Sequence, residues 1–233
     1  MTFKKISLAA LAVSSMLVTA AVAAPVELLA NGGFETGTLA SWSTSGLGVG
    51  GTCPGGNRDW NVANSGAATG CNAVANPSGG AFAAYVMGDG TGPLTYRLSQ
   101  LFTVAAGTTG GTYSFDLSSI NEYDAGRTLT VSLTDQITLA SINLYSASTS
   151  SANSSWHTIA GDVSAFLAGA AGNSVLLSFD NFIPTSWSGP AGLGIDQVSI
   201  LAEAEVPEPA SLSLLALSLA GLGFTRRRKS AQG

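Results

Sequence analysis

The stretch Thr128-Leu-Thr-Val-Ser-Leu133 alternates hydroxyl-bearing and apolar side chains. Successive side chains of a β-strand point to opposite faces, so Leu129, Val131 and Leu133 would share one face while the hydroxyl-bearing residues share the other. Such a strand is typical of an antiparallel sheet that packs one face on a core and leaves the other face in water. This stretch therefore predicts an antiparallel sheet with one wet face.

Strand character recurs along the rest of the chain, while helical character is almost absent. Only Asp162 to Ala168 predicts a helical turn, with Asp162 as its N-cap and Gly169 as its C-terminal stop. Many strands with almost no helix predict an all-β protein, folded as a single β-sandwich. The other predicted strands are Val26 to Leu29, Phe82 to Met87, Leu94 to Val104, Thr112 to Leu117, Ile137 to Leu144, Trp156 to Ile159, Ser174 to Phe179 and Leu193 to Leu201.

Charge is scarce and unevenly distributed. Charged residues are 10% of the 233 residues, whereas soluble domains usually carry about a quarter. Most basic residues lie at the two ends, and between Pro25 and Glu205 three arginines face thirteen acidic residues, a net charge of −10. Such a body would repel a polyanion, so we expect no nucleic-acid partner.

The N-terminus, residues 1–23, has the three-part layout of a secretory signal peptide. Lys4 and Lys5 precede an apolar run from Ile6 to Val18, and small residues precede a cleavage site that we place after Ala23. We therefore expect export, cleavage by signal peptidase and a body that spans residues 24–205. An uncleaved N-terminal anchor is the alternative.

The C-terminal segment, residues 206–229, combines a Pro-Glu-Pro motif, a short apolar helix over residues 210–225 and a basic cluster. The fifteen uncharged residues from Ala210 to Phe224 would span about 22 Å as a helix, less than a hydrocarbon core of about 30 Å. Basic residues beside a spanning segment stay cytoplasmic, so the body would lie outside the inner membrane. The motif is Pro207, Glu208 and Pro209, and the cluster is Arg226, Arg227, Arg228 and Lys229.

This segment resembles the PEP-CTERM sorting signal of Gram-negative bacteria, because motif, helix and basic cluster occur in the same order. The resemblance implies recognition by a membrane transpeptidase of the exosortase type. It also implies transient anchoring in the inner membrane, removal of the tail and delivery to the cell surface or extracellular matrix. A plain C-terminal membrane anchor is the alternative.

A second resemblance concerns the body. Three stretches, Leu28-Leu-Ala-Asn-Gly-Gly-Phe-Glu35, Gln100 to Asp116 with Thr112-Tyr-Ser-Phe-Asp116 at its end, and Gly194-Ile-Asp-Gln-Val-Ser-Ile200, resemble a galactose-binding-like jelly roll. Many carbohydrate-binding modules share this layout. The resemblance implies a jelly-roll sandwich.

The same resemblance implies a structural calcium ion that joins the first and last strands. Carried over, its ligands would be Glu35 of the opening motif and Asp196 of the closing motif, with backbone carbonyls completing the shell. Alternatively, both acids are solvated or make hydrogen bonds at strand ends.

Cys53 and Cys71 are the only cysteines. An exported chain favours a disulfide between them, and closing a loop of this size contributes roughly 3 kcal/mol in the chain-entropy account. Two unpaired thiols are the alternative.

Aromatic side chains in polar loops are the candidate glycan contacts. Trp60, Tyr123 and Trp187 lie in such loops, where an indole or phenol ring would be exposed unless it packs or binds. Each could instead cap the sandwich.

Catalytic patterns are weak. His157 is the only histidine, so a Ser-His-acid triad would depend on it, and a strand histidine is the simpler interpretation. We expect a non-enzymatic, surface-sorted protein of the exopolysaccharide matrix that is structural or weakly glycan-binding. The alternatives are a secreted polysaccharide hydrolase or lyase, and an adhesion protein.

Overall fold

Strands dominate the residues that the computed structural model describes, which are 24–46, 59–70, 73–88, 92–121, 126–148, 154–184 and 191–204. Helix α1 spans Ser164–Gly169, and a 3-10 helix spans Gly66–Thr69. The strands are β1 (Val26–Glu27), β2 (Ser43–Ser45), β3 (Asn61–Ala63), β4 (Ala83–Gly88), β5 (Leu94–Thr103), β6 (Thr108–Asn121), β7 (Thr128–Asp135), β8 (Ser141–Ser148), β9 (Ser154–Asp162), β10 (Ser174–Ile183) and β11 (Ala191–Ala204).

The strands of these described ranges form two sheets. A six-stranded sheet has the order β3-β4-β11-β6-β9, with β1 also paired to β11, and a five-stranded sheet has the order β2-β5-β10-β7-β8. The recorded pairs are antiparallel. Apolar side chains from both sheets form one core between them. The expected all-β jelly-roll sandwich is confirmed.

Strand β7 shows why the sequence pattern predicts this architecture. Leu129, Val131 and Leu133 are buried in the core, while Thr128 and Thr130 on the opposite face are half-buried. All nine predicted strands are present with shifted ends. Strands β2 and β3 escaped prediction because three residues are too few to show an alternation.

Helix α1 forms where it was predicted, but its ends differ. It begins at Ser164 with Val163 in the N-cap position. Asp162 acts from one residue earlier, because its carboxylate accepts hydrogen bonds from Ser164 N at 3.2 Å and Ser164 Oγ at 2.7 Å. Gly169 is the last helical residue rather than the stop. Burial of Val163 and Leu167 fixes the helix on the core.

The Asn-Gly-Gly-Phe-Glu motif joins the start of the chain to its last strand. Val198 N donates to Gly32 O at 2.9 Å, next to an irregularity in β11. A Cβ atom on Gly32 would lie 1.9 Å from Val198 O, so only glycine permits this approach. Phe34 is buried beside Trp42, and the motif thereby closes the sandwich.

The two sheets differ in what lies on their outer faces. Residues 64–70 and 73–82, called here the cover segment, lie over the outer face of the six-stranded sheet. Val74 packs on Tyr85 and Ala83 of β4, and Tyr85 Oη donates to Ala75 O at 3.1 Å. Trp156 Nε1 of β9 donates to Asn76 O at 2.5 Å. The outer face of the five-stranded sheet carries the groove described next.

Candidate functional site

A groove crosses the outer face of the five-stranded sheet. Alternation along β5 and β10 directs every second side chain away from the core, and the register aligns Arg97 with Asp180 and Asp180 with Thr130. The resulting groove has a volume of about 490 Å³. Its lining residues are Ser45, Thr95, Arg97, Thr130, Asp180 and Phe182.

An ion pair forms the polar part of the groove. Arg97 Nε donates to Asp180 Oδ1 at 2.6 Å, and Arg97 Nη2 donates to Asp180 Oδ2 at 2.8 Å. The hydrogen bond to Asp180 raises the pKa of Arg97. This fork geometry holds both side chains in one plane. The pair uses two guanidinium N–H groups, and the remaining ones can reach a ligand hydroxyl.

An aromatic ring forms the apolar part. Phe182 is 38% exposed at the end of β10, opposite Thr95 of β5 and Thr128 of β7. A phenyl ring beside hydroxyl groups and an ion pair combines a stacking face with hydrogen-bond donors and acceptors. This combination suits a ligand that has both apolar C–H faces and hydroxyl groups.

The predicted calcium ligands are engaged by backbone N–H groups of the cover segment. Glu35 accepts hydrogen bonds from Ala81 N at 3.0 Å and Phe82 N at 3.2 Å. Asp196 is fully buried. Its Oδ2 accepts from Ser78 N and Ser78 Oγ, both at 3.0 Å, and from Gly79 N at 3.1 Å.

Both carboxylate oxygens of Asp196 accept hydrogen bonds. Besides the bonds to Oδ2, Oδ1 accepts from Gln197 N at 2.8 Å. Burial raises the pKa of Asp196, while these hydrogen bonds lower it and limit the rise. Within the described residues, no three His, Cys, Asp or Glu side chains come together as they would around a metal ion.

The carboxylates of Glu35 and Asp196 thus both accept N–H groups of the cover segment and fix it to the sheet. These are the hydrogen bonds expected as the alternative to calcium binding. A calcium ion shared by the two acids stays a prediction.

Trp60 corrects an expectation. Its indole is 3% exposed and belongs to the main core, and its Nε1 donates to Tyr96 O at 3.4 Å. The polar residues around Trp60 suggested a loop, but the residue directly precedes β3 and points inwards. It therefore offers no stacking face to a glycan.

Other expected site residues lie outside the described residues, and their roles stay predictions. Among them, the glycan candidates are Tyr123 and Trp187 and the disulfide partners are Cys53 and Cys71. The sorting residues are Pro207, Glu208, Pro209, Arg226, Arg227, Arg228 and Lys229.

Sequence reasoning missed the groove residues Arg97, Asp180 and Phe182. The predicted strand ended at Phe179, so Asp180 and Phe182 were not assigned to a sheet face. Leu176 and Ser178 lie on the outer face of this strand. Extending the strand by four residues would have placed Asp180 and Phe182 on the same wet face. Their pairing with Arg97 needs the register, which the sequence does not show.

The C-terminal segment matches a known family model. Residues 205–229 match the PEP-CTERM protein-sorting motif. The chain carries a PEP-CTERM sorting signal. This signal marks an exported protein of a Gram-negative bacterium that is made as a membrane-anchored precursor, processed by an exosortase and delivered to the cell surface. In the part of the chain that the structure describes, no helix is long and apolar enough to cross a membrane.

Solved structures resemble the body. A cyclase from Fischerella sp. TAU has a TM-score of 0.51 at 16% identity, over 79% of this chain and 100% of the cyclase. TmCBM61, solved with β-1,4-galactotriose, has a TM-score of 0.48 at 16% identity, over 78% of this chain and 99% of that one. A family 11 carbohydrate-binding module from Clostridium thermocellum has a TM-score of 0.45 at 12% identity, over 80% and 99%.

At these identities the likeness concerns the fold alone. Among curated proteins, no relative matches the sequence. Any function for the body must therefore be argued from its own residues.

Proposed function

We propose that this chain is a non-enzymatic, surface-sorted protein of the exopolysaccharide matrix and that its groove binds a neutral glycan weakly. The observation that carries the proposal is the groove of about 490 Å³ in which the exposed ring of Phe182 lies beside the Arg97–Asp180 pair. The sorting signal supports the location, because it directs the body to the surface where such glycans lie.

The charges favour a neutral glycan over an acidic one. Arg97 is the only cation among the six lining residues, and Asp180 neutralises it through two hydrogen bonds. The body as a whole has a net charge of −10, which repels uronate-rich or sulfated chains.

The same pair argues for binding rather than hydrolysis. Hydrolysis of a glycosidic bond uses two carboxyl groups that flank the bond, one of which must carry a proton. Among the six lining residues Asp180 is the only acid, and Arg97 holds both of its oxygens. The lining therefore lacks the second carboxyl group that this reaction needs.

Weak binding follows from the shape of the site. The groove is open, and Phe182 is the only aromatic ring among its lining residues. A bound glycan would therefore bury little of its surface and gain little binding free energy. Many copies of the protein on one polysaccharide would still be retained through multivalency. The proposed role is therefore attachment to the matrix rather than capture of a free sugar.

The test compares Phe182→Ala with Leu101→Ala in the processed protein. Leu101 is 60% exposed on the same outer face and does not line the groove. We expect Phe182→Ala to weaken retention on the producer's own polysaccharide about tenfold, equivalent to about 1.4 kcal/mol, with the free energy of unfolding changed by only about 0.5 kcal/mol. Leu101→Ala should bind like the unmodified chain.

Affinity electrophoresis in gels that contain neutral or uronate-rich polysaccharide measures both variants. Undiminished retention of Phe182→Ala, or an equal loss with Leu101→Ala, would show that the groove is not the glycan site.

A further inference from the structure

The turn between β7 and β8, residues 136–140, presents two large apolar side chains to solvent. Ile137 is 71% exposed and Leu139 is 74% exposed. Leu139 also has a φ of 61°, a left-handed conformation that glycine and asparagine adopt with less strain than leucine. Exposed apolar side chains and a leucine in the left-handed conformation do not stabilise the folded body. A contact between these two side chains and something outside the body explains their presence better.

The turn is held rigidly. Asp135 Oδ1 accepts from Ile137 N at 2.8 Å and Thr138 N at 3.2 Å, and Oδ2 accepts from Asn173 Nδ2 at 2.8 Å. Burial alone would raise the pKa of Asp135, but these hydrogen bonds lower it from 3.8 to about 2. Asp135 therefore stays ionised at neutral pH, and the apolar pair keeps a fixed geometry.

This turn lies at the end of the sandwich from which the chain leaves the body. Asp135 pairs with Val175 at the start of β10, and Ser174 pairs with Thr103 at the end of β5. The chain then turns into β6, whose first residue pairs with Ala204, the last residue of β11. The turn and the end of β11 therefore lie at the same end of the sandwich.

The length of chain beyond Ala204 limits how far this end can lie from the membrane. The sorting signal begins at residue 205, and its apolar run begins at Ala210. Six residues span at most about 20 Å when fully extended. While the tail anchors the precursor, the end of the body that carries the turn is therefore held close to the lipid.

We propose that Ile137 and Leu139 insert into the lipid of the inner membrane while the precursor is anchored. The partner is the lipid surface itself, because the tether brings that surface to the exposed apolar pair. Two side chains supply less apolar area than a lasting lipid anchor needs, so the body is released once the tail is removed. Phe182 lies at the opposite end of β10 from the turn and therefore serves as a control position.

Photo-crosslinking of the full-length precursor tests this contact. The precursor is reconstituted in vesicles of phosphatidylethanolamine with a minor fraction of phosphatidylglycerol, with a diazirine-bearing leucine analogue at position 139 or, as the control, at position 182. We expect lipid adducts at position 139 at about ten times the yield at position 182. Equal yields at both positions, or adducts to a second copy of the chain instead of lipid, would overturn the proposal.

Two substitutions sharpen the result. Ile137→Ser should lower the yield of lipid adducts at position 139 several-fold, whereas Phe182→Ser should leave that yield unchanged. Leu139→Asn should raise Tm, because asparagine accepts the left-handed conformation better than leucine. An unchanged adduct yield in Ile137→Ser, or a lower Tm in Leu139→Asn, would contradict the role of the turn.

Discussion

Among the residues that the structure describes, the cover segment lies over the outer face of the six-stranded sheet, whereas the outer face of the five-stranded sheet is open to solvent. On the first sheet, Asp196 and Tyr85 lie under the cover segment and hydrogen-bond to its backbone. On the second, Phe182 and the Arg97–Asp180 pair lie open in the groove. Polar groups that hydrogen-bond to the chain itself stabilise the fold. Polar groups that keep unused donors or acceptors can bind a ligand.

The largest expected effect separates an aromatic residue of the core from one on the open face. Trp60→Ala should reduce the free energy of unfolding by about 3–5 kcal/mol, because it leaves a cavity in the core. Phe182→Ala, on the open face, should change it by only about 0.5 kcal/mol. Urea denaturation of both variants measures the difference.

The same two variants can break the comparison. If Trp60→Ala were as stable as Phe182→Ala, the indole would not be part of the core. If folded Trp60→Ala also lost glycan retention, binding would depend on a residue of the core as well as on the open face.

Asp196 gives the next largest effect, on the covered face. Asp196→Asn replaces one carboxylate oxygen by an N–H₂ group, which faces either the donors Ser78 and Gly79 at the Oδ2 position or the donor Gln197 at the Oδ1 position. Leaving buried N–H groups without an acceptor should cost about 2–3 kcal/mol. Thermal unfolding should show this loss, and hydrogen exchange should show that the amides of residues 78 and 79, or that of residue 197, lose protection.

The matched measurement is a chelator experiment on the unmodified chain. If N–H groups are the only partners of the carboxylates of Glu35 and Asp196, EDTA should leave Tm unchanged. A fall in Tm with EDTA that calcium reverses, and that Glu35→Gln abolishes, would instead support the shared calcium site.

The sequence predicts the sheets better than it predicts their outer faces. Alternation in Thr128 to Leu133 is a local property, and burial of every second residue follows from it directly. The cover segment has no such pattern. It lies on the sheet because Asp196, over a hundred residues away, accepts the N–H groups of Ser78 and Gly79.

The aromatic candidates show the same limit. Polar neighbours made Trp60 look exposed, although the strand that follows directs its ring inwards. Phe182 has an apolar neighbour, Ile183, and lies beyond the predicted end of its strand. Its exposure becomes visible only when the strand is extended to Ile183, which places Phe182 on the outer face. Local composition reports on the neighbours of a side chain, whereas exposure depends on which face of the sheet it occupies.

The smallest expected effect concerns the ion pair on the open face. Because both side chains are partly exposed, the Arg97–Asp180 pair should contribute only about 0.5–1 kcal/mol to stability. Arg97→Met, Asp180→Asn and the double variant form a double-mutant cycle in urea denaturation.

Glycan retention, by contrast, should fall in each single variant, because each removes hydrogen-bonding groups that the groove presents to a hydroxyl. A coupling energy well above about 1 kcal/mol with unchanged retention would make the pair a stabilising element of the fold, and the open face would then resemble the covered one.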